Sequence, residues 1–541
     1  MDSTLEDDIS QYLEDHMAKL EFRFQTQEFV PRDIFEIATS KMAIEQAVKQ
    51  EEDELELISE DLDNFVTDIH QCGRKLFAAC VRSGLAMTCL KRLLAKGFTD
   101  LNQPRADCDC DCPNLKPRDR KTFRHFLDSL KKFNAPFFAT NSFQALDSNT
   151  PIPIQFAEDS SNLRGKGAFG EVWEMNIHKS HHNLLPGSHI DRFAVKIIQQ
   201  EVSWRREKAF ITDMASLNHQ HLVKCLASWT LGAKYHMIYE LAACNLDEFV
   251  KKFPEPSQDS GLPEEWLAKQ LCGIAGALLV VHNQGADSGS SSSLMVPTTA
   301  PAKTGYIHDI KPENILVYRY QGHLYWFRLS DFSCAKVVDL VATVSGQRLS
   351  HMTTGSGTPN YKAPETHTGK TSRPYDLFSL GCVYLELLTW YFQGYSALVS
   401  FKKARREQRR SPNGPQDEGF YFTLDSNDLD DDSNPTWHLR HAVVGKISEL
   451  QEQCHGPLKR ILDEIPNLLK IEPLERPTAK QLAQRLDAPG PELNLDMLSP
   501  VSRRDSMLPD SPPLTPKLHT NNHSNETDEH DFVMRFQQAT E

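Results

Sequence analysis

The sequence predicts an α+β fold with three regions in series. Residues 1–150 read as helical, residues 155–488 as short strands followed by helices, and residues 489–541 as a disordered tail. Three observations predict this order. Apolar residues recur at three-and-four spacing from Ile58 through Leu62, Phe65, Val66, Ile69, Cys72, Leu76, Phe77 and Cys80 to Val81, which marks an amphipathic helix. Glycine-punctuated alternating segments then give way, after Pro263, to an apolar helical pattern carrying Trp266, Leu267, Leu271, Ile274, Leu278 and Leu279. From Ala488 the chain is rich in Pro, Ser and Asn and too poor in apolar residues to offset the entropy of ordering.

Composition narrows the classes of function. A net charge of −15 over 541 residues disfavours nucleic acid as the main partner, because such binding needs a basic stripe. The N-terminus is acidic (Glu6, Asp7, Asp8) and has no apolar signal core. The longest apolar run, Ile274 to Val281, is too short to span a bilayer. Twelve scattered cysteines without a secretory signal fit a reducing cytoplasm or nucleus.

The most informative stretch is Tyr306 to Val317, YIHDIKPENILV. It sets Asp309, Lys311 and Asn314 on one short loop, with Asp309 and Asn314 in a D-x-x-x-x-N spacing. Upstream, Gly165, Gly167, Gly170 and Val172 spell G-x-G-x-x-G-x-V, and Lys196 follows in FAVK. Downstream come Asp331 and Phe332 in LSDF, GTPNYKAPE from Gly357 to Glu365, YDLFSLG from Tyr375 to Gly381, and ERP from Glu475 to Pro477. One glycine motif is weak evidence, but six motifs in this order are not accidental. On these residues the chain resembles a eukaryotic protein kinase of the Ser/Thr branch over roughly residues 155–488. The helical N-terminal segment resembles the leader before filamentous-fungal kinase domains.

The resemblance implies a small antiparallel sheet over a mostly helical lobe, with ATP between them. Gly165, Lys166, Gly167, Gly170 and Val172 would close over the triphosphate, where side chains on the glycines would clash. Lys196 would hold the α- and β-phosphates, and Glu240 and Ala242 would offer backbone groups to adenine. Asp309 would orient a protein hydroxyl and accept its proton, while Lys311 steadies the γ-phosphate. Asn314 and Asp331 would hold Mg²⁺, whose remaining ligands are phosphates and waters. Thr358 would bridge Asp309 and Lys311, Glu365 would pair with Arg476, and Asp376 would anchor the backbone of the loop.

Several segments depart from the family pattern. The glutamate expected to pair with Lys196 falls on Phe210 when counted from the HLV landmark, and Glu207 stands one turn earlier on the same helical face. Ile307 and His308 replace the usual His-Arg before Asp309, and Ser333 replaces a Gly after Phe332. These departures keep a pseudokinase, an ATP-binding or scaffold module, as the alternative to an enzyme.

The remaining segments read as structure without chemistry. HKSHHNLLPGSH, with His178, His181, His182 and His189, reads as a solvated hairpin tip. Cys108, Cys110 and Cys112 alternate with Asp in one exposed acidic loop. Gly285 to Gly305 reads as a flexible insertion, and the basic run Phe401 to Pro415 as a loop that neutralises the acidic run Asp425 to Asp432. The expected partners are protein substrates with Ser or Thr hydroxyls, together with a partner or intramolecular dock for the N-terminal helices.

Overall fold

A computed structural model describes residues 9–51, 55, 59–105, 117–157, 159–167, 170–188, 190–205, 208, 219–256, 261–282, 303–319, 325–332, 336–339, 350–351, 359–368, 370–371, 373–407, 419–424 and 437–488. The N-terminal region contains α1 (Ile9–Asp15), α2 (Arg32–Ala38), α3 (Lys41–Gln50), α4 (Ser59–Cys72), α5 (Arg74–Ser83), α6 (Met87–Ala95) and α7 (Pro117–Lys132). Leu62, Phe65, Val66, Ile69, Leu76 and Phe77 pack with Leu90, Leu93, Phe126 and Leu130 into one core. The continuous helix expected over Ile58–Val81 is two helices, α4 and α5. They part at Gly73, whose backbone (φ −127°, ψ 20°) leaves the helical region beside the Leu94 side chain of α6.

The N-terminal region is also not wholly helical. β1 (Ala18–Phe22) and β2 (Gln25–Phe29) form a hairpin, and β3 (Ser142–Leu146) enters the sheet of the next region. That sheet contains β4 (Ile154–Gln155), β5 (Leu163–Gly167), β6 (Gly170–Ile177), β7 (Arg192–Ile198), β8 (Cys225–Leu231) and β9 (Lys234–Glu240). Its order is β3-β8-β9-β7-β6-β4, with β5 also on β6. The β3–β8 pair is parallel, whereas the other neighbours are antiparallel.

Alternation assigns the two faces of this sheet. Trp173, Met175 and Ile177 of β6 and Phe193, Val195 and Ile197 of β7 lie in one apolar core with Phe22, Phe138 and Phe156. Val172 and Glu174 therefore share the opposite face with their cross-strand partners Lys196 and Ala194. That face looks toward the helical lobe, because Lys196 Nζ lies 2.9 Å from Asp331 Oδ1.

The helical lobe contains α8 (Leu246–Lys252), α9 (Glu264–His282), α10 (Arg373–Glu407), α11 (His441–Gln453), α12 (Lys459–Leu468) and α13 (Ala479–Arg485). β10 (Cys244–Asn245), β12 (Ile315–Arg319) and β13 (Tyr325–Leu329) form a small sheet beside it, and β11 (Lys303–Tyr306) pairs with β14 (Lys336–Asp339). α9 is buried almost all round, which explains its apolar sequence. α10 continues across a bend at Gly394 (φ 80°) into the basic run expected as a loop, which is helical through Glu407. The reason is a buried ion network: Arg405 Nη2 lies 2.8 Å and Lys402 Nζ 3.1 Å from the Glu386 carboxylate. The acidic run Asp425 to Asp432, the Cys108–Cys112 cluster, most of the insertion after Gly285, and the tail from residue 489 lie outside the described residues. None of the described helices is long and apolar enough to cross a membrane.

In the histidine-rich hairpin the tip at Pro186 and Gly187 is exposed as expected and His189 lies outside the described residues, but His178 and His181 are packed rather than solvated. Phe29 meets His178 and His181 edge-on at 5.6 and 5.1 Å. His181 Nδ1 lies 2.9 Å from the Pro136 carbonyl, while its Nε2 accepts the Arg32 N–H at 3.1 Å. Both contacts together require the neutral ring, with the proton on Nδ1. Burial lowers the His181 pKa from 6.5 to about 4, against the Pro136 hydrogen bond. The unfolded chain therefore binds a proton between these values that the folded chain does not, so His181 removes stability as pH falls. Chemical unfolding at stepped pH should show stability falling from pH 6.5 toward pH 4, with His181 contributing about 1.4 kcal/mol per pH unit. In His181→Asn that share of the slope should be missing, and an unchanged slope would contradict the assignment.

Candidate active site

The loop from Tyr306 to Asn314 runs from the end of β11 to the start of β12, and β12 pairs with β13 in a hairpin. Pro312 opens a short 3₁₀ turn to Asn314, whose N–H bonds the Lys311 carbonyl at 3.0 Å. The turn brings two side chains onto one oxygen of a third: Asp309 Oδ2 lies 2.9 Å from Lys311 Nζ and 2.9 Å from Asn314 Nδ2. Asn314 Nδ2 also donates to the Asp309 carbonyl at 2.9 Å. Its amide nitrogen is thereby committed to Asp309, which leaves the amide oxygen as the other polar atom of the side chain.

The same loop is fixed from below. Asp376, near the start of α10, is fully buried and accepts the Ile307 and His308 N–H groups at 2.8 Å each. His282, at the end of α9, reaches the same carboxylate at 2.9 Å. Burial alone would raise the Asp376 pKa, but the His282 hydrogen bond and charge, His308 and the Ile307 N–H hold it below the usual carboxylate range. His308 has φ 65°, a conformation that this pair of backbone bonds holds in place.

Asp331 follows β13 with φ 56° and its carboxylate meets Lys196 across the cleft. Ser330 N–H and Oγ donate to the Asn314 carbonyl at 2.9 and 2.8 Å, which ties the segment before Asp331 to Asn314. Asn314 and Asp331 supply hard oxygen donors, a chemistry that suits a hydrated divalent cation with phosphate ligands. Among the described residues no group of three or more His, Cys, Asp or Glu forms a closed metal site, so any cation here takes most of its ligands from elsewhere.

The glycine-rich segment spans the turn between β5 and β6. A Cβ at Gly170 (φ 151°) would lie 2.4 Å from the Ile197 carbonyl oxygen, so only glycine fits. Built Cβ atoms at Gly165 and Gly167 meet nothing within 4 Å. Lys166 pairs with Glu171 at 3.0 Å across the turn, and Val172 sits opposite Lys196. Glu240 ends β9 opposite Phe193, its carboxylate 2.7 Å from Arg328 Nη1, and Ala242 follows just beyond the strand. Glu207 and Thr358 lie outside the described residues, so Lys196 has Asp331 as its described acidic partner.

Sequence reasoning missed His282, Ser330 and Arg328. His282 and Asp376 are 94 positions apart, and nothing local to either marks the pair. Glu365 and Arg476 do meet, at 2.8 and 2.9 Å through two parallel contacts, with the Arg476 side chain fully buried. Arg476 also donates to the Lys470, Ile471 and Pro374 carbonyls, which explains its place at the junction of three segments.

A family model described as a protein kinase domain matches residues 160–486. "Cyclin-dependent kinase-like 5" of Mus musculus is 24% identical over 323 residues, 59% of this chain and 29% of that protein. "EPD1-interacting receptor-like cytoplasmic serine/threonine-protein kinase" of Nicotiana benthamiana is 27% identical over 329 residues, 59% of this chain and 61% of that protein. A Gossypium barbadense relative, "EPD1-interacting receptor-like cytoplasmic serine/threonine-protein kinase 5D", is 30% identical over 42% of this chain and 44% of its own length. The chain thus spans less than two thirds of each of these relatives.

Glu365→Gln leaves the buried Arg476 guanidinium without its counter-charge. Denaturant unfolding should show a loss of about 3–5 kcal/mol, and a loss below about 1 kcal/mol would mean that the pair is dispensable.

Proposed function

The chain belongs to the protein kinase domain family, and we propose that it is a Ser/Thr protein kinase that transfers the γ-phosphate of ATP to protein hydroxyls. The observation that carries this reading is the convergence of Asp309, Lys311 and Asn314 on one loop, facing a Lys196–Asp331 pair that joins the lobes. Phosphoryl transfer asks the protein for positioning and charge stabilisation rather than covalent chemistry, and this set of groups meets both needs.

The roles follow from the donors. Asp309 accepts a hydrogen bond from the substrate Ser or Thr hydroxyl and takes its proton as the oxygen bonds to the γ-phosphorus and the bond to ADP breaks. Lys311, held beside Asp309, steadies the charge on the transferred group. Lys196 meets the α- and β-phosphates, Gly165, Lys166, Gly167, Gly170 and Val172 cover them, and Glu240 and Ala242 border the adenine end. Asn314 and Asp331 would hold Mg²⁺, which neutralises phosphate charge when bound. Glu207 is the residue we assign as the further acidic partner of Lys196, with Thr358 between Asp309 and Lys311. Turnover in this class is about 1–100 s⁻¹. The Ser/Thr assignment rests on Lys311 and GTPNYKAPE, and the names of the plant relatives point the same way.

The N-terminal region acts as an intramolecular brace on the small lobe. Supporting this, Arg23 N–H bonds the Phe156 carbonyl at 2.7 Å, Phe156 N–H bonds Glu21, and β3 extends the sheet. A cytoplasmic or nuclear location fits the free cysteines among the described residues.

A pseudokinase is the second reading, favoured by His308 at the position before Asp309. His308 is buried between Tyr306 and Tyr375, with ring centroids 4.3 and 5.1 Å away, so it is placed for packing rather than for an incoming phosphate. Activation by loop phosphorylation is accordingly not required. Replacing Ser345, Ser350, Thr353, Thr354 and Ser356 together by Ala should leave transfer within about threefold of wild type, and abolished transfer would overturn this point.

The functional reading is tested by labelled-phosphate transfer from Mg²⁺-ATP to the chain itself and to a generic basic protein. Wild type should transfer to Ser and Thr, and Asp309→Asn should lose at least about a hundredfold. Equal transfer by both would mean a misassigned base, and no transfer by wild type, with ATP still raising the melting temperature, would leave the scaffold reading.

A further inference from the structure

The face of the sheet that carries Lys196 also carries a charged cluster to which no role has been given. Glu174, two residues beyond Val172 on β6, has a side chain only 5% exposed. Arg164 Nε donates to Glu174 Oε2 at 3.0 Å and Arg164 Nη2 donates to the same oxygen. Arg192 Nη1 donates to the other oxygen, Oε1, at 2.9 Å. Both arginine side chains remain 30% exposed.

Placement gives this cluster its meaning. Arg164 stands immediately before Gly165, the first glycine of the loop. The β5–β6 register breaks between Leu163 and Gly165, so Arg164 is the extra residue of a β-bulge. A bulge re-aims a side chain, and here it turns Arg164 onto the cleft face while Leu163 packs on the apolar core behind. Glu174 is paired across the sheet with Ala194, one step along the same face from the Val172–Lys196 pair. Phe193, between Ala194 and Arg192, is opposite Glu240, so the cluster lies toward the adenine-bordering end of the cleft.

We propose that Glu174 is a positioning residue for nucleotide: by clamping Arg164 and Arg192 it fixes the stem of the glycine loop in the conformation that receives ATP. This rests on the kinase reading above. Two guanidiniums drawn onto one nearly buried carboxylate hold β5, β6 and β7 in register at the root of an otherwise exposed turn. Without the carboxylate the two cations repel, the bulge relaxes, and binding must pay the entropy of ordering the loop. The cost falls on nucleotide capture, because Asp309, Lys311 and Asn314 are held from the other lobe by Asp376.

The test uses the full chain and a fluorescent ATP analogue with Mg²⁺, titrated directly, with KM and kcat for ATP measured in parallel. Glu174→Gln keeps the shape and removes the charge. We expect analogue affinity to fall and KM to rise by roughly ten- to a hundredfold, with kcat at saturating ATP within about twofold of wild type. Arg164→Leu should match it, the double variant should be no worse than either single, and Arg164→Lys should recover most of the affinity. Unchanged affinity in Glu174→Gln would overturn the proposal, as would a fall in kcat equal to the fall in kcat/KM, or purely additive single effects. If wild type itself captures no nucleotide, the kinase reading fails and this inference fails with it, an outcome distinct from equal binding by wild type and variant.

Discussion

The carboxylate of Asp376 is the constraint on which the rest of the site depends. It sits fully buried at the head of α10 and receives two backbone N–H groups and one imidazole. A buried charge is tolerated only when its hydrogen bonds are made, and these three partners make them. In return the loop before Asp309 loses its freedom. His308 is held in a left-handed backbone conformation that fixes the direction in which Asp309 leaves it. The single Asp309 oxygen shared by Lys311 and Asn314 is the visible result.

A second constraint comes from the division of the sheet into two faces. One face is an apolar core shared with Phe22, Phe138 and Phe156, which belong to or border the N-terminal region. The other face is free to carry polar groups, and it carries Val172, Glu174, Ala194 and Lys196 in alternation. The N-terminal region therefore does for the outer face what the second lobe does for the inner one. His181, which this region helps to bury in its neutral form, makes the seam sensitive to acid.

Local geometry was legible in the sequence because spacing largely fixes it. The short turn from Asp309 to Asn314 and the glycine turn around Gly170 both declare themselves within a few residues. What was not legible depends on distant neighbours. The helical pattern parts at Gly73, beside Leu94 of α6, and periodicity carries no record of that break. The basic run after Phe401 stays helical because Glu386 lies buried beside it. His181 is buried because Phe29 and Arg32 come to it from a region more than 140 positions away. Glu174 could have been found: in VWEMNI it shares the parity of Val172, and a charge at an inward position of a half-buried strand asks for a partner.

The measurement that tests the account most directly is phosphate transfer by Asp376→Asn, with nucleotide affinity and melting temperature recorded on the same preparation. An amide can accept through one oxygen only, so one backbone N–H of the loop loses its partner while the sheet and its glycine turn are untouched. The account predicts nucleotide affinity within about threefold of wild type and transfer reduced at least about a hundredfold, since misplacing the base by about 1 Å has that cost. Transfer at the wild-type rate by a folded variant would contradict it, and would mean that the loop carrying Asp309 is held by something other than the buried carboxylate of α10.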